Sequence, residues 1–406
     1  MIVVIVTTSS RLLLVNKSSL HNVVCTHRAA VEYVEQNEKL SLKAQMADPK
    51  NLHILAFTNG TGSHRWRLTS IAERLNTQTN HEMVVTDFGK WNGSTVGADI
   101  VIIEMMTSSK MVDACHEQKA KVIYEADDAA IDTYGKERKN LQHMGADWRQ
   151  NSIDTIAKCD AMTVTNWYLK ENYARFTDKP IHILPNYLDL DWYGREKLLI
   201  RRNTDEVRIG WFGSRGHYED LRMIIPALKN VLEKYPQAKF VYCGFGGMSS
   251  DRLMTEVGWG EDVFKELPRN RREFVIPVGE DLWPMKHQTL DFDIGIAPLI
   301  DDPFNHCKTP IKWMEYAATG VPAVMSPTVY AEHPFARGKS TVKHGVDGFI
   351  ANTQQEWETY LGNLIESKEL RKKIGDKAKK NVFENWNIDK HWTKWLSVYE
   401  GVIDNS

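Results

Sequence analysis

The chain reads as an α/β protein built from two tandem, doubly wound domains that face each other across a cleft. Three observations predict this. Short β-branched runs alternate with helical periods from about residue 51 onward, as in a parallel sheet wrapped by helices. The alternation stops at a charged, weakly periodic stretch, LDLDWYGREKLLIRRNTDE, and then restarts. The opening strand of each half runs straight into a glycine-containing turn, HILAF into NGTGSHRWRL and RIGWFG into SRGHYEDL.

A chain of 406 residues with 42% hydrophobic content can bury two or three cores. Its formal net charge of −2 gives the whole molecule no pull toward nucleic acid or an anionic membrane. Five cysteines without a CxxC pair argue against a disulfide framework or a zinc site, and a reducing, cytoplasmic location is expected. The apolar start MIVVIVTTSSRLLLV lacks a basic n-region and is interrupted well short of the ~20 residues of a membrane span, so neither a signal peptide nor a transmembrane segment is expected.

Taken in order, residues 1–50 read as an N-terminal extension outside the fold, with Met46 a second candidate initiator. The first domain, 51–187, has strand candidates HILAF, HEMVVTDF, DIVIIEM, KVIYEAD, AMTVT and IHILP. Residues 188–207 read as a linker. The second domain, 208–383, has VRIGWFG, KFVYCGFGG, EFVIPVG, FDIGIAP, PAVMS and GFIA. Residues 384–406 form a last helix whose apolar face (Ile388, Trp392, Trp395, Leu396, Tyr399) should pack back on the domains. Among thirteen tryptophans, Trp66, Trp211 and Trp313 sit beside polar or glycine clusters where a cleft border competes with plain core filling.

Two loops of the second domain offer a phosphate site. Gly213 and Gly216 permit a tight turn before a helix start near His217, whose free N–H groups attract an anion, with Arg215 adding a full charge. The cluster CGFGGM, with Gly244, follows the next strand and allows close backbone approach. Either loop also reads as an ordinary turn. The stretch FNHCKTPIKWMEYAATGVPAV (304–324) is richer: Thr309 is expected to cap a helix with Pro310 at its first position. Lys308 then lies just before the helix, while Lys312 and Glu315 fall in its first two turns. A surface ion pair is the plain reading, but lysines at a helix N-terminus oppose the dipole, and a bound diphosphate would relieve that repulsion.

As an ordered set, GWFGS, the glycine-rich turn after the next strand, FDIGIAPL and FN..K.P.KW.EYAA.GVPAV resemble the retaining GT-B glycosyltransferases of the group 1 type, whose two domains are Rossmann-like. VIYEADD, AMTVTNWYLKENY and IHILPNYLDLDWY extend the resemblance into the first domain. It implies a nucleotide diphosphate sugar as donor substrate, no cofactor and no metal. Glu315 takes the glutamate that binds the ribose hydroxyls, while the usual partner glutamate eight positions earlier falls on Cys307 and is missing, with Lys308 and Asn305 nearby. The donor-binding set becomes Gly213, Ser214, His217, Gly244, Asn305, Lys308, Thr309 and Glu315. Arg215 and Lys312 would stabilise the leaving diphosphate.

Asp127 and Asp128 end a strand that faces the cleft; Asp128 is the expected catalytic carboxylate, and Asp127 joins Gly62, His64 and Arg65 on the acceptor side. Asn186 reads as the hinge residue. Asp291 with Asp293 and Asp301 with Asp302 are expected to cap or to lie in solvated loops rather than to bind metal. The acceptor is open between a glycan, a lipid and a small molecule. A nucleic-acid base is less favoured, because HRWR, RNRR and RKKIGDKAKK are short basic clusters on a near-neutral chain. The rival classes are an epimerase or phosphorylase on the same fold and a non-catalytic nucleotide-sugar binding protein.

Overall fold

The structure is a computed structural model that describes residues 51–58, 60, 62–133, 146–194, 204–244, 263–332 and 340–404, together with two short antiparallel strand pairs, Val3–Val6 with Leu12–Val15 and Gly247–Met248 with Met254–Thr255. Apart from the first of these pairs, the expected extension lies outside the described residues.

Two six-stranded parallel sheets carry the fold. The first holds β1 (His53–Thr58), β2 (Glu82–Asp87), β3 (Ile100–Glu104), β4 (Lys121–Ala126), β5 (Ala161–Val164) and β6 (Ile181–Ile183) in the order β2-β1-β3-β4-β5-β6. The second holds β7 (Val207–Phe212), β8 (Ala238–Cys243), β9 (Arg272–Val275), β10 (Ile294–Ala297), β11 (Ala323–Met325) and β12 (Phe349–Ile350) in the order β9-β8-β7-β10-β11-β12. Each strand candidate of the sequence appears. β1 and β7 are buried at every position because helices cover both faces, so they read as continuous apolar runs rather than alternating ones. In each sheet the order reverses beside the first strand, and loops leaving the carboxyl ends there form the crevice where open α/β sheets bind ligands.

Helix α1 (Ser70–Gln78) covers the first sheet, and α2 (Tyr218–Lys234) buries Leu221, Ile224, Ile225, Leu228, Val231 and Leu232 along one stripe over the second. Helices α3 (Ile311–Ala318) and α4 (Lys368–Asn385) follow in the second domain. The chain then crosses back: Leu188 N donates to Trp386 O at 2.7 Å, Ile388 N donates to Leu188 O at 3.0 Å, and α5 (Thr393–Asp404) buries Trp395 and Tyr399. The Arg67 guanidinium lies 5.4 Å over the Trp395 ring.

The stretch read as a linker begins inside the protein. Leu188, Leu190 and Tyr193 are buried, and Asp189 accepts from Arg74 at 2.8 Å and Arg65 at 3.0 Å. Arg74 also holds Asp389 at 2.9 Å, which ties α1 to both crossover segments. One apolar cluster therefore runs through both domains, from Ile54 and Ile102 through Leu188 and Tyr193 to Phe212, Tyr316 and Trp395. Trp66, Trp211 and Trp313 belong to the core, with 6%, 0% and 1% exposure, and Trp313 Nε1 donates to the Asp347 carbonyl.

Candidate active site

The carboxyl ends of the two sheets enclose a cavity of about 250 Å³. Asp127 and Asp128 line it from the first domain, and His217, Trp283, Lys308, Thr309, Lys312 and Glu315 line it from the second. A larger cavity of about 440 Å³ lies at the opposite, amino-terminal edge of the second sheet, beside Asp293, Pro322 and the basic side chains of α4. It contains none of the expected site residues.

The segment between β10 and α3 supplies the most functional groups. Asp302 caps a four-residue helix, Pro303–His306, by accepting from Asn305 N at 2.7 Å. Helix α3 then starts with Pro310 at its N-cap and no side-chain cap. This corrects the expected cap: Thr309 Oγ1 accepts instead from Asn186 Nδ2 at 3.0 Å, across the domain boundary, and Pro310 has moved one position outward. The first turn of α3 thus has no side-chain cap, and its residues Ile311 and Lys312 line the cavity, a favourable place for an anion.

Lys312 does not pair on the surface. Its ammonium lies 3.1 Å from His217 Nε2, and 5.7 and 5.8 Å over the rings of Trp211 and Phe212. Burial holds it below the ordinary lysine range; Lys308 adds to the shift and Glu315 opposes it. His217 is buried with its Nδ1 2.7 Å from Asp220 Oδ2, and burial followed by Lys312 pushes its pKa down to about 3. The imidazole is thus neutral, with Nδ1–H donating to the carboxylate and the Nε2 lone pair accepting from Lys312.

Glu315 is 4% exposed, and its Oε1 accepts from Tyr193 OH at 2.6 Å and Trp283 Nε1 at 2.7 Å. Burial pushes its carboxyl above the usual range, and those two bonds oppose the shift. Lys308 reaches the first domain: Nζ is 3.2 Å from Asp128 Oδ2 and 4.3 Å over the Phe304 ring. The carbonyls of His306 and Lys308 both accept from Asn166 Nδ2. Cys307 turns away from the cavity into the apolar cluster of the first domain, 1% exposed, beside Phe304.

On the acceptor side, burial pushes Asp127 up to about 7, with Asp128 and Glu104 adding to it. Its Oδ1 is buried without a hydrogen-bond partner among the described residues. Behind it, Glu104 accepts from Thr58 Oγ1 at 2.6 Å and Ser63 Oγ at 2.8 Å, and burial raises its pKa too.

Several expected residues are placed differently. Asn305 is fully buried behind the cavity wall, where its Nδ2 donates to Asp220 at 2.8 Å, so it cannot touch a donor directly. Gly244 lies against Gly213: a Cβ at Gly244 would meet Gly213 O at 2.1 Å, so the glycine is required by that backbone contact. Arg65 is held by Glu73 of α1 at 2.6 Å and by Asp189, after β6, at 3.0 Å, outside the cavity lining. Gly62 is exposed and His64 half-buried near Glu104. Ser214 and Arg215 lie at the turn leading into α2; the Arg215 side chain falls outside the described residues. Asn186 is buried, its Oδ1 accepting from Arg67 at 3.0 Å.

Two of the three basic clusters are structural, while lysines of RKKIGDKAKK lie exposed on α4. Arg67 of HRWR is buried against Glu125 at 2.8 Å, and Arg271 and Arg272 of RNRR donate to backbone carbonyls of Tyr235, Ala238 and Phe264. Among the described residues no group of three or more His, Cys, Asp or Glu is arranged to hold a metal ion, and no helix is long and apolar enough to cross a membrane. Trp283, Tyr193 and Asp220 were missed by sequence reasoning. The first two lie in aperiodic stretches, EDLWPM and LDLDWYG, and the third reads as an ordinary first-turn acid of α2.

No family model matches the chain, and no curated protein matches it by sequence. Solved structures do match. Anabaena HepE in complex with UDP and glucose is 13% identical, with a TM-score of 0.57 over 86% of this chain and 100% of that one. A sucrose-phosphate synthase from Thermosynechococcus elongatus is 12% identical, with a TM-score of 0.61 over 88% of this chain and 100% of that one. A protein from Listeria monocytogenes assigned as a UDP-N-acetylglucosamine 2-epimerase is 12% identical, with a TM-score of 0.51 over 88% of this chain and 98% of that one. At these identities the likeness is one of fold: two Rossmann-like domains with parallel six-stranded sheets in the GT-B arrangement.

Proposed function

We propose that the protein is a nucleotide-sugar-dependent glycosyltransferase that moves a sugar from a nucleotide diphosphate donor to a hydroxyl-bearing acceptor, with retention of configuration and without a metal. The observation that carries this reading is the composition of the α3 end of the cavity. An uncapped helix N-terminus, Lys312 and Lys308 converge there, one turn away from the buried carboxylate of Glu315. Positive groups at one end and a hydroxyl-accepting carboxylate at the other match a diphosphate joined to a ribose. Anabaena HepE, solved with UDP and with UDP-glucose, shares the fold, which supports the same ligand class here.

In this reading the bond between the anomeric carbon and the diphosphate oxygen breaks as negative charge builds on the leaving group. Lys312, Lys308 and the α3 N–H groups are fixed in place before that charge develops, which is where preorganised dipoles lower a barrier most; to Arg215, in the turn before α2, we assign by proposal the role of a further cation. Asp127 and Asp128 face the same cavity from the opposite sheet and orient the acceptor hydroxyl. A same-face attack needs no carboxylate nucleophile of the kind a retaining glycosidase uses. The acceptor is a glycan, a lipid or a small molecule, and the reaction is placed in the cytoplasm.

Incubation with a panel of UDP, GDP and ADP sugars, followed by chromatography of the products, tests the reading. Slow donor hydrolysis or transfer to an added acceptor is expected. The Listeria neighbour favours one rival, and conversion of a sugar nucleotide to its epimer with no acceptor present would establish it instead.

A further inference from the structure

Asp220 lies at the first turn of α2, fully buried behind the residues that line the cavity, and three separate elements converge on it. Its Oδ2 takes His217 Nδ1 at 2.7 Å. Its Oδ1 accepts from Ile300 N at 2.9 Å, in the loop after β10, and from Asn305 Nδ2 at 2.8 Å, in the short helix before α3. A carboxylate removed from water in this way is costly unless its lone pairs are used, and here charge-assisted bonds to three donors offset that cost.

We propose that Asp220 is a positioning residue for the leaving diphosphate, acting through His217 on Lys312; this rests on the donor site proposed above. The chemistry follows from the acceptor-only character of a carboxylate. Facing Asp220, His217 must present Nδ1–H, which leaves the Nε2 lone pair as the one ring group able to accept from the Lys312 ammonium 3.1 Å away. One N–H of Lys312 is thereby anchored to the wall, which leaves two donors for a ligand in the cavity that Lys312 and His217 both line. The neutral state of His217, enforced by its burial, keeps that anchor from becoming a repulsive cation.

The same carboxylate ties the loop after β10 to the short helix before α3, through Ile300 N and Asn305 Nδ2. An amide in place of the carboxylate, as in Asp220→Asn, reverses the polarity of this chain. Its NH₂ group would either meet the N–H donors of Ile300 and Asn305 or donate to His217 Nδ1, and in the second case Nε2–H points at an ammonium.

A double-mutant cycle on binding tests this. UDP and, separately, inorganic pyrophosphate are titrated calorimetrically into the full chain carrying Asp220→Asn, Lys312→Met or both. Asp220→Asn is expected to weaken binding about ten- to a hundredfold when Lys312 is present and less than about twofold when it is not, because the residue acts through that lysine. An equal penalty in both backgrounds, or none in either, would overturn the proposal while leaving the donor site standing. If the unsubstituted chain binds neither UDP, pyrophosphate nor any other nucleoside diphosphate, the donor site itself fails and the proposal falls with it. Should Asp220→Asn not fold, the ¹⁵N signals of His217 in the unsubstituted chain, assigned with His217→Gln, decide: a protonated Nδ1 with a bare Nε2 supports the relay, and a protonated Nε2 refutes it.

Discussion

The Lys308 ammonium of the second domain stands 3.2 Å from the Asp128 carboxylate of the first, so the two walls of the cavity are joined by a charge pair inside the proposed site. Both side chains are largely shielded, with 20% and 29% exposure, which makes the pair worth more than a free surface bridge but still only about 1 kcal/mol. A diphosphate entering beside α3 competes with Asp128 for Lys308. Asp128→Asn should therefore tighten UDP binding several-fold, measured by calorimetry, while reducing transfer to an acceptor. Lys308→Ala should weaken UDP binding by a similar factor.

Glu315 serves the fold as well as the site. Its Oε1 takes the buried hydroxyl of Tyr193 and the indole N–H of Trp283, so Glu315→Ala leaves two donors without a partner. A loss of about 2–4 kcal/mol is expected, visible in chemical denaturation. Glu315→Gln keeps a carbonyl oxygen that can accept from both donors and should retain most of that stability. It is the better variant for reading donor affinity.

Asp127 makes stability depend on pH. Its folded pKa, about 7, lies above its ordinary carboxylate value because burial and the neighbouring Asp128 disfavour the charge. A raised folded pKa gives stability that is fully present below the unfolded value of about 4 and is lost as pH rises through about 7. Relative to the unsubstituted chain, Asp127→Asn should therefore gain on the order of 2 kcal/mol between about pH 4.5 and pH 8, as measured by urea unfolding at both.

Restoring a glutamate at position 307 should fail as a repair. Cys307 is packed into the apolar cluster of the first domain beside Phe304, not toward the cavity. Cys307→Glu buries a carboxylate there and should destabilise the chain by about 3 kcal/mol or more in thermal or urea unfolding, with no gain in sugar binding.

These cases also show what a sequence can and cannot carry. The strands were legible because parallel strands buried on both faces are uninterrupted β-branched runs, as in HILAF and RIGWF. The gathering of His217, Lys308, Lys312 and Glu315 with Asp127 and Asp128 around one cavity followed from their places at strand ends. Side-chain partners were not legible. Thr309 had the spacing of a cap but is drawn off by Asn186, 123 positions away, and the direction of Cys307 depends on how the domains meet. Tyr193 and Trp283 reach Glu315 from segments with no periodicity to reveal them.

The most direct measurement is the melting temperature of the full chain with UDP, GDP and ADP and with their sugars, for the unsubstituted protein and for Lys312→Met. A ligand that binds only the native state at a hundred times its Kd adds about 2.7 kcal/mol and raises the transition by several degrees. At least one nucleoside diphosphate should do so for the unsubstituted chain, and Lys312→Met, which removes a buried cation without opening the wall, should melt normally and lose the response. An equal ligand response in both proteins, or none from any nucleotide in the unsubstituted chain, would contradict a diphosphate site at the α3 N-terminus.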